Sequence, residues 1–366
     1  MKITIVKSLL DNLIEFLTKY TDPINVYSQF RCINIDVNYD QIIFTASDGT
    51  ISAQKIIKVD EIKIKVEEPG VILVNAAYLK NIIKKLSGEI LIFSEGNVLT
   101  IKEGKTEYVI NLLDAHFPLI NFEQSNKRFE ISSERLEKAI RNVIFAASDD
   151  DKKSILKCIN LTIKDGNLRL IATDTYRLST ETVKISNDLT MNISVTGRNL
   201  KNMITKDTPK KIFVFYDDTK IGISYENTVI QSTVNDIPYS KVDNIFPQSF
   251  SRMITINKNE LLRLINKVIF INQDKSNRLQ FKIDSENLHL MIEMPEIGKS
   301  EASTTNFKLE GKPIEIDFNY NFIKEAINIY DDGDINLCIN DNETIMLVVS
   351  KTNEFNKQLI TPLRRY

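Results

Sequence analysis

At three places along the chain, alternation of apolar and polar residues gives way to helical spacing. Ile3-Thr-Ile-Val-Lys-Ser-Leu-Leu10, Phe129-Glu-Ile-Ser-Ser-Glu-Arg-Leu136 and Ile254-Thr-Ile-Asn-Lys-Asn-Glu-Leu261 each begin with the two-residue period of a half-buried strand. Each then acquires the spacing of an amphipathic helix, as in Leu136, Ile140, Val143 and Ile144 or Leu261, Leu264, Ile265 and Val268. The starts lie 126 and 125 residues apart. Polar residues at the change of period predict helix caps: Ser132 or Ser133 in the second copy, Asn257 or Asn259 in the third.

A second strand-helix pair follows in every copy, at 71–83, 193–204 and 316–327, with Leu79-Lys80, Leu200-Lys201 and Ile323-Lys324 in register. Between the two pairs, alternating runs from Arg31, Lys157 and Arg278 predict hairpins. Further alternating segments close each copy, with turns predicted at EGN (95–97), ENT (226–228) and DNE (341–343). Element order, spacing and several identities agree, so the chain reads as one unit written three times, at 1–121, 122–250 and 251–366. Each unit is two helices on antiparallel strands, an α+β arrangement, and polar stretches holding Pro118 and Pro247 read as linkers.

Composition narrows the chemistry. The 366 residues are 42% hydrophobic and 26% charged, enough apolar material for several cores. No apolar run reaches 18 residues, and Asp11 interrupts the stretch a signal peptide would need, so a cytoplasmic location without membrane contact is expected. Cys32, Cys158 and Cys338 are far apart and lack CxxC spacing, which predicts buried packing residues. Neither a P-loop nor a GxGxxG fingerprint occurs, and His116 and His289 are the only histidines, read as structural or surface residues. Asp149-Asp150-Asp151 and Asp331-Asp332 with Asp334 read as solvated charge runs rather than metal ligands, the alternative being a metal-dependent nuclease. No catalysis, cofactor or metal is expected.

The net charge of −2 argues against nucleic-acid binding over the whole surface. No third is strongly basic, with 13 basic against 15 acidic side chains in the first, 19 against 17 in the second and 15 against 17 in the third. Basic residues nevertheless recur on the helices, opposite the apolar stripe: Lys80 and Lys84; Arg135, Lys138 and Arg141; Arg198 and Lys201; Arg263 and Lys267; and Lys324. One helix face per copy is a candidate phosphate-facing surface, and phosphate contacts carry no base information.

Ala172-Thr-Asp-Thr-Tyr-Arg-Leu178 is similar to the ATDGHRL segment, and Thr361-Pro-Leu-Arg364 to the MPMR ending, of the bacterial DNA polymerase III beta subunit family, the sliding clamps. LKNIIKKL at 79–86 and NKNELLRLINKVIF at 257–270 extend the resemblance over essentially the whole chain. The resemblance implies three tandem clamp domains, paired head to tail in a homodimer whose six-domain ring encircles double-stranded DNA without sequence preference. It implies a pocket between the second and third domains that takes short apolar peptides of the replicative polymerase, clamp loader and repair proteins. Carried over by position, that pocket comprises Leu156, Thr173, Thr175, Tyr176, Arg177, Leu178, Pro238, Ile245, Thr361, Pro362, Leu363 and Arg364. Lys84, Lys153 and Arg198 match positions that approach DNA in the family, and Ile269 and Phe270 match an apolar pair at its subunit interface. The chain departs from the pattern at Thr175, where glycine is common, at Thr361, which replaces Met, and at Arg365-Tyr366. Asp22-Pro-Ile-Asn-Val-Tyr27 lacks the family's arginine. A scaffold of the same fold that binds proteins without encircling DNA is the alternative.

Overall fold

The three copies fold into closely similar orders of elements, repeat 2 having one strand fewer among the described residues, in the structure, a computed structural model that describes residues 1–150, 152–185, 189–240, 242–270 and 277–364. Repeat 1 runs β1 (Lys2–Val6), α1 (Lys7–Thr18), β2 (Cys32–Val37), β3 (Gln41–Ser47), β4 (Ile51–Lys58), β5 (Ile64–Glu68), β6 (Gly70–Asn75), α2 (Ala76–Ile83), β7 (Glu89–Glu95), β8 (Val98–Glu103) and β9 (Thr106–Asn111). Repeat 2 has β10 (Arg128–Ser132), α3 (Ser133–Ile144), β11 (Cys158–Lys164), β12 (Asn167–Thr173), β13 (Arg177–Lys184), β14 (Met191–Thr196), α4 (Gly197–Met203), β15 (Lys211–Tyr216), β16 (Lys220–Tyr225) and β17 (Thr228–Thr233). Repeat 3 has β18 (Arg252–Asn257), α5 (Lys258–Val268), β19 (Arg278–Ile283), β20 (Leu288–Met294), β21 (Gly298–Thr304), β22 (Phe307–Glu310), β23 (Ile314–Asn319), α6 (Tyr320–Asn328), β24 (Asp334–Ile339), β25 (Met346–Ser350) and β26 (Asn353–Ile360).

Helix entry is set by asparagine at three of the six starts. Asn75, Asn257 and Asn319 each accept two backbone N–H bonds of the following first turn, at 2.9–3.4 Å. Of the two candidate caps in repeat 3, Asn257 therefore holds the position and Asn259 is one of its donors. Ser132 immediately precedes α3, whereas Val6 enters α1 with no side-chain cap. The predicted turns are present, but the left-handed position falls on Gly96 in the first and on Glu226 and Glu343 in the others.

Compactness divides the chain into two units, Met1–Ser133 with Arg198–Val234 and Glu134–Gly197 with Asn235–Tyr366, so the central repeat contributes to both. The first unit holds a five-stranded sheet, β5-β1-β7-β8-β9, and an eight-stranded one, β10-β15-β16-β17-β4-β3-β2-β6. The second holds a nine-stranded sheet, β14-β11-β12-β13-β26-β25-β24-β18-β22, and a four-stranded one, β21-β20-β19-β23. The two long sheets arise from the same joint. The last strand of repeat 2, β17, pairs antiparallel with β4 of repeat 1, and the last strand of repeat 3, β26, pairs antiparallel with β13 of repeat 2.

Beneath the sheets lie the apolar helix faces. In repeat 1, α1 packs on α2, and its Leu10, Leu13, Ile14 and Leu17 are buried. In repeat 3, Leu261, Leu264, Ile265 and Val268 of α5 and Ile323, Ala326 and Ile327 of α6 share one cluster with Phe281 and Phe318. Those phenyl rings meet edge-on at 5.7 Å, a favoured aromatic geometry. The three cysteines are buried, as their isolation in sequence predicts. Removal from water pushes the Cys32 thiol up to about 11 and raises those of Cys158 and Cys338. Among the described residues, no helix is long and apolar enough to cross a membrane.

Candidate functional site

The joint between repeats 2 and 3 carries a small apolar cluster apart from the repeat cores: Ile171, Leu178, Val242, Cys338, Leu347 and Leu359 are 8% exposed or less. Strand register builds it, because antiparallel pairing of β13 with β26 sets Leu178 opposite Leu359. Above it opens a cavity of about 280 Å³, walled by Ile155, Leu156, Leu178, Tyr239, Val242, Ile245, Ile345 and Leu359 and rimmed by Thr173, Thr175, Arg177, Ser240 and Thr361. A mostly apolar concavity with a few polar groups at its rim suits one or two aliphatic side chains of an extended peptide.

The turn between β12 and β13 shapes one wall. Asp174 Oδ1 accepts from the N–H of Tyr176 at 2.9 Å and of Arg177 at 3.0 Å. Thr173 Oγ1 accepts from the Thr175 N–H at 3.1 Å and donates to the Arg177 carbonyl at 2.6 Å. This closure places Thr175 at φ +83°, a left-handed conformation costly for a β-branched residue. The Tyr176 carbonyl accepts from both the N–H and the Oγ1 of Thr361 at 2.9 Å, tying the end of the chain to the turn.

Seven of the twelve residues expected at the pocket line it: Leu156, Thr173, Thr175, Arg177, Leu178, Ile245 and Thr361. Tyr176, 64% exposed, holds Thr361 through its backbone, and Pro238 is exposed beside Tyr239. Pro362 is half-buried; Leu363 donates its N–H to the Asp317 carbonyl at 2.8 Å and Arg364 accepts from Arg278 Nη2 at 2.7 Å, so this segment is pinned along repeat 3. Arg177 is engaged within the protein: its Nε donates to Asp174 Oδ2 at 2.9 Å, its Nη1 pairs with Glu325, and its guanidinium lies 4.3 Å from the Phe322 ring centre. It braces the wall, and its charge is already partnered. Burial raises the Tyr239 phenol well above its ordinary value. Sequence reasoning missed Ile155, Tyr239, Ser240, Val242, Ile345 and Leu359. Ile155 adjoins Leu156 and Leu359 is on the alternating face of β26, but Ile345 arrives through strand pairing and Tyr239 through the linker.

The basic helix positions are on the surface. Lys84, Arg135, Lys138, Arg141, Lys153, Arg198, Lys201, Arg263 and Lys267 are exposed, and Lys80 and Lys324 half-buried. Arg263 makes a two-pronged pair with Glu260 at 2.6 and 2.9 Å, and Lys138 Nζ lies 4.0 Å from Asp331 Oδ2. Ile269 packs on the repeat 3 core while Phe270 is 43% exposed. Among the described residues, no group of His, Cys, Asp and Glu is placed to hold a metal ion; Asp151 lies outside them, as do Arg365 and Tyr366.

Three family signatures match in order: DNA polymerase III beta subunit, N-terminal domain, at residues 1–121, its central domain at 130–241 and its C-terminal domain at 243–364. The beta sliding clamp of Mycoplasmopsis pulmonis is 33% identical and that of Bacillus subtilis 26% identical, each over the full length of both chains. The fold is similar to the crystal structures of the DNA polymerase sliding clamp from Bacillus subtilis (TM-score 0.93, 24% identity) and the DNA polymerase III subunit beta from Pseudomonas aeruginosa (TM-score 0.92, 18% identity), all of each chain being covered.

Proposed function

The chain belongs to the DNA polymerase III beta subunit family and is a three-domain processivity clamp, and from that premise we propose that it works as a head-to-tail homodimer closed around double-stranded DNA. The observation that carries this reading is the repeated joint. Twice within the chain, the last strand of one repeat pairs with the third hairpin strand of the repeat before it, its fourth strand in all, as β17 with β4 and β26 with β13. Two equivalents are left at sheet edges: β9, the last strand of repeat 1, and β21, the third of the hairpin strands in repeat 3. Pairing β9 of one protomer with β21 of the next would repeat the joint and satisfy both edges. Val109 on β9 is 60% exposed, and Phe270 at the end of α5 supplies apolar surface in repeat 3. Domain boundaries near 121 and 250 fit this arrangement.

The exposed basic helix residues then meet phosphates without reading bases, through weak, salt-sensitive contacts that permit sliding. The cavity at the joint of repeats 2 and 3 takes aliphatic side chains of polymerase, clamp-loader or repair-protein peptides, which tethers those proteins to DNA in the cytoplasm. Processivity comes from topology, and the chain performs no bond chemistry. Loading the protein on nicked circular DNA tests the reading: it is expected to co-purify with the circle and to be lost when the DNA is made linear. Equal retention on both forms would support the scaffold reading instead. A protein mass of one chain in solution would remove the dimer.

A further inference from the structure

The joint between repeats 1 and 2 repeats the docking turn hydrogen bond for hydrogen bond. Asp48 Oδ1 accepts from the N–H of Thr50 at 2.8 Å and Ile51 at 2.9 Å, as Asp174 does from Tyr176 and Arg177. Ser47 Oγ accepts from the Gly49 N–H at 3.0 Å and donates to the Ile51 carbonyl at 3.1 Å, as Thr173 does in the second turn. The Thr50 carbonyl accepts from the N–H of Thr233 at 3.0 Å, where Tyr176 accepts from Thr361. Beside this turn lies a cavity of about 320 Å³.

Its floor differs in chemistry. Strand register places Ser52 where the first pocket has Leu178, Gln231 where it has Leu359 and Lys220 where it has Ile345. Phe30 takes the place of Leu156, and Pro118, Leu119 and Ile120 complete an apolar wall, Leu119 being fully exposed. Gln231 is 7% exposed; its Nε2 donates to the Asn121 carbonyl at 2.9 Å, but its Oε1 is buried without a partner. An unmet acceptor in the floor of a cavity calls for an N–H donor from a ligand, since a buried acceptor without a partner forfeits the hydrogen bond it would make in water.

We propose that this joint is a second docking pocket, taking an extended peptide that inserts a carboxamide side chain, glutamine or asparagine, where the first pocket takes an aliphatic one. The inserted amide N–H reaches Gln231 Oε1, and the peptide's flanking apolar groups lie on Phe30 and Leu119. The proposal rests on the reading of the first pocket as a docking site.

Isoleucine methyl resonances of the full chain separate the two sites, because Ile120 lines the second pocket and Ile155, Ile245 and Ile345 line the first. The probes are two acetylated, amidated pentapeptides, Ala-Ala-Gln-Ala-Phe and Ala-Ala-Leu-Ala-Phe. The glutamine peptide is expected to shift Ile120 saturably and to leave Ile345 in place, with Gln231→Met weakening it about tenfold. Should Gln231→Met disturb folding, Leu119→Asp, at an exposed position, is expected to weaken the same shift. A glutamine peptide that leaves Ile120 unmoved, or that both variants bind as the parent does, overturns the proposal. Failure of the leucine peptide to move Ile155, Ile245 or Ile345 counts against the first pocket alone; the Ile120 response decides the second.

Discussion

Asn356 Nδ2 donates to Glu181 Oε2 at 2.8 Å across the β13–β26 pair, and neither residue is exposed by more than 7%. Asn142 of α3 donates to the same oxygen at 2.9 Å, and Gln358 bridges Asn356 and Ser179. A buried carboxyl group needs the amide donors that surround it, and removing one leaves a buried acceptor unmet. Asn356→Leu is accordingly expected to destabilise the unit holding the nine-stranded sheet by about 2–3 kcal/mol in denaturant unfolding. Glu181→Gln, which keeps the shape, is expected to cost less; equal stability of Asn356→Leu and the parent would show that the network contributes nothing.

The two docking turns make opposite demands at one position. Thr175 holds φ +83° with a branched side chain, whereas its counterpart Gly49 holds φ +98° and a Cβ there would lie 3.3 Å from Phe30 Cε2. Thr175→Gly is expected to stabilise the chain by about 1 kcal/mol and Gly49→Thr to destabilise it by more, read as shifts in thermal midpoint.

A charged side chain at the rim separates docking from folding. Ile245 is 43% exposed and lines the first pocket, so Ile245→Asp is expected to leave the unfolding midpoint within about 0.5 kcal/mol while weakening an apolar clamp-binding peptide at least about tenfold. Calorimetric titration measures the second effect.

Asp331 sits beside Lys138, and if Lys138 faces DNA as proposed, Asp331 would compete with phosphate for it. With Asp331→Asn, the plot of log affinity against log salt for a short duplex is expected to steepen by about one unit, the signature of one more phosphate contact. An unchanged slope would place Lys138 away from DNA.

The buried thiols give a pH dependence. Cys32 has its pKa raised from 9.0 to about 11 by burial, so the folded state holds the proton more tightly than the unfolded one. Its contribution is complete below pH 9.0 and is lost as pH rises through about 11. Aromatic disulfide reagents at pH 8.0 are expected to leave all three cysteines unmodified until the chain unfolds, as measured by thiolate release.

Much of this was readable from the sequence, and the remainder follows one physical rule. Alternation in Ile51–Lys58 or Thr228–Thr233 reports that a strand has one buried face, and nothing in it names the neighbour. The joints, which pair residues more than 170 positions apart, were therefore invisible, although the repeats themselves were plain. The resemblance supplied Leu156 and Leu178 but not Ile345, whose place in the pocket depends on β25 lying next to β26. The resemblance named residues such as Leu363 and Arg364, but the path of their backbone follows from bonds to Asp317 and Arg278.

The unlike edges β9 and β21 carry a further consequence for assembly. A contact between two different surfaces has no stop of its own, since every protomer added presents a fresh acceptor; such chains grow into fibres unless the turn per protomer divides a full circle. For the proposed dimer, a finite assembly would thus be a property of the rotation that the β9–β21 contact imposes from one protomer to the next. A substitution that altered that rotation would convert a countable particle into an open polymer without removing the strand pairing that links its subunits.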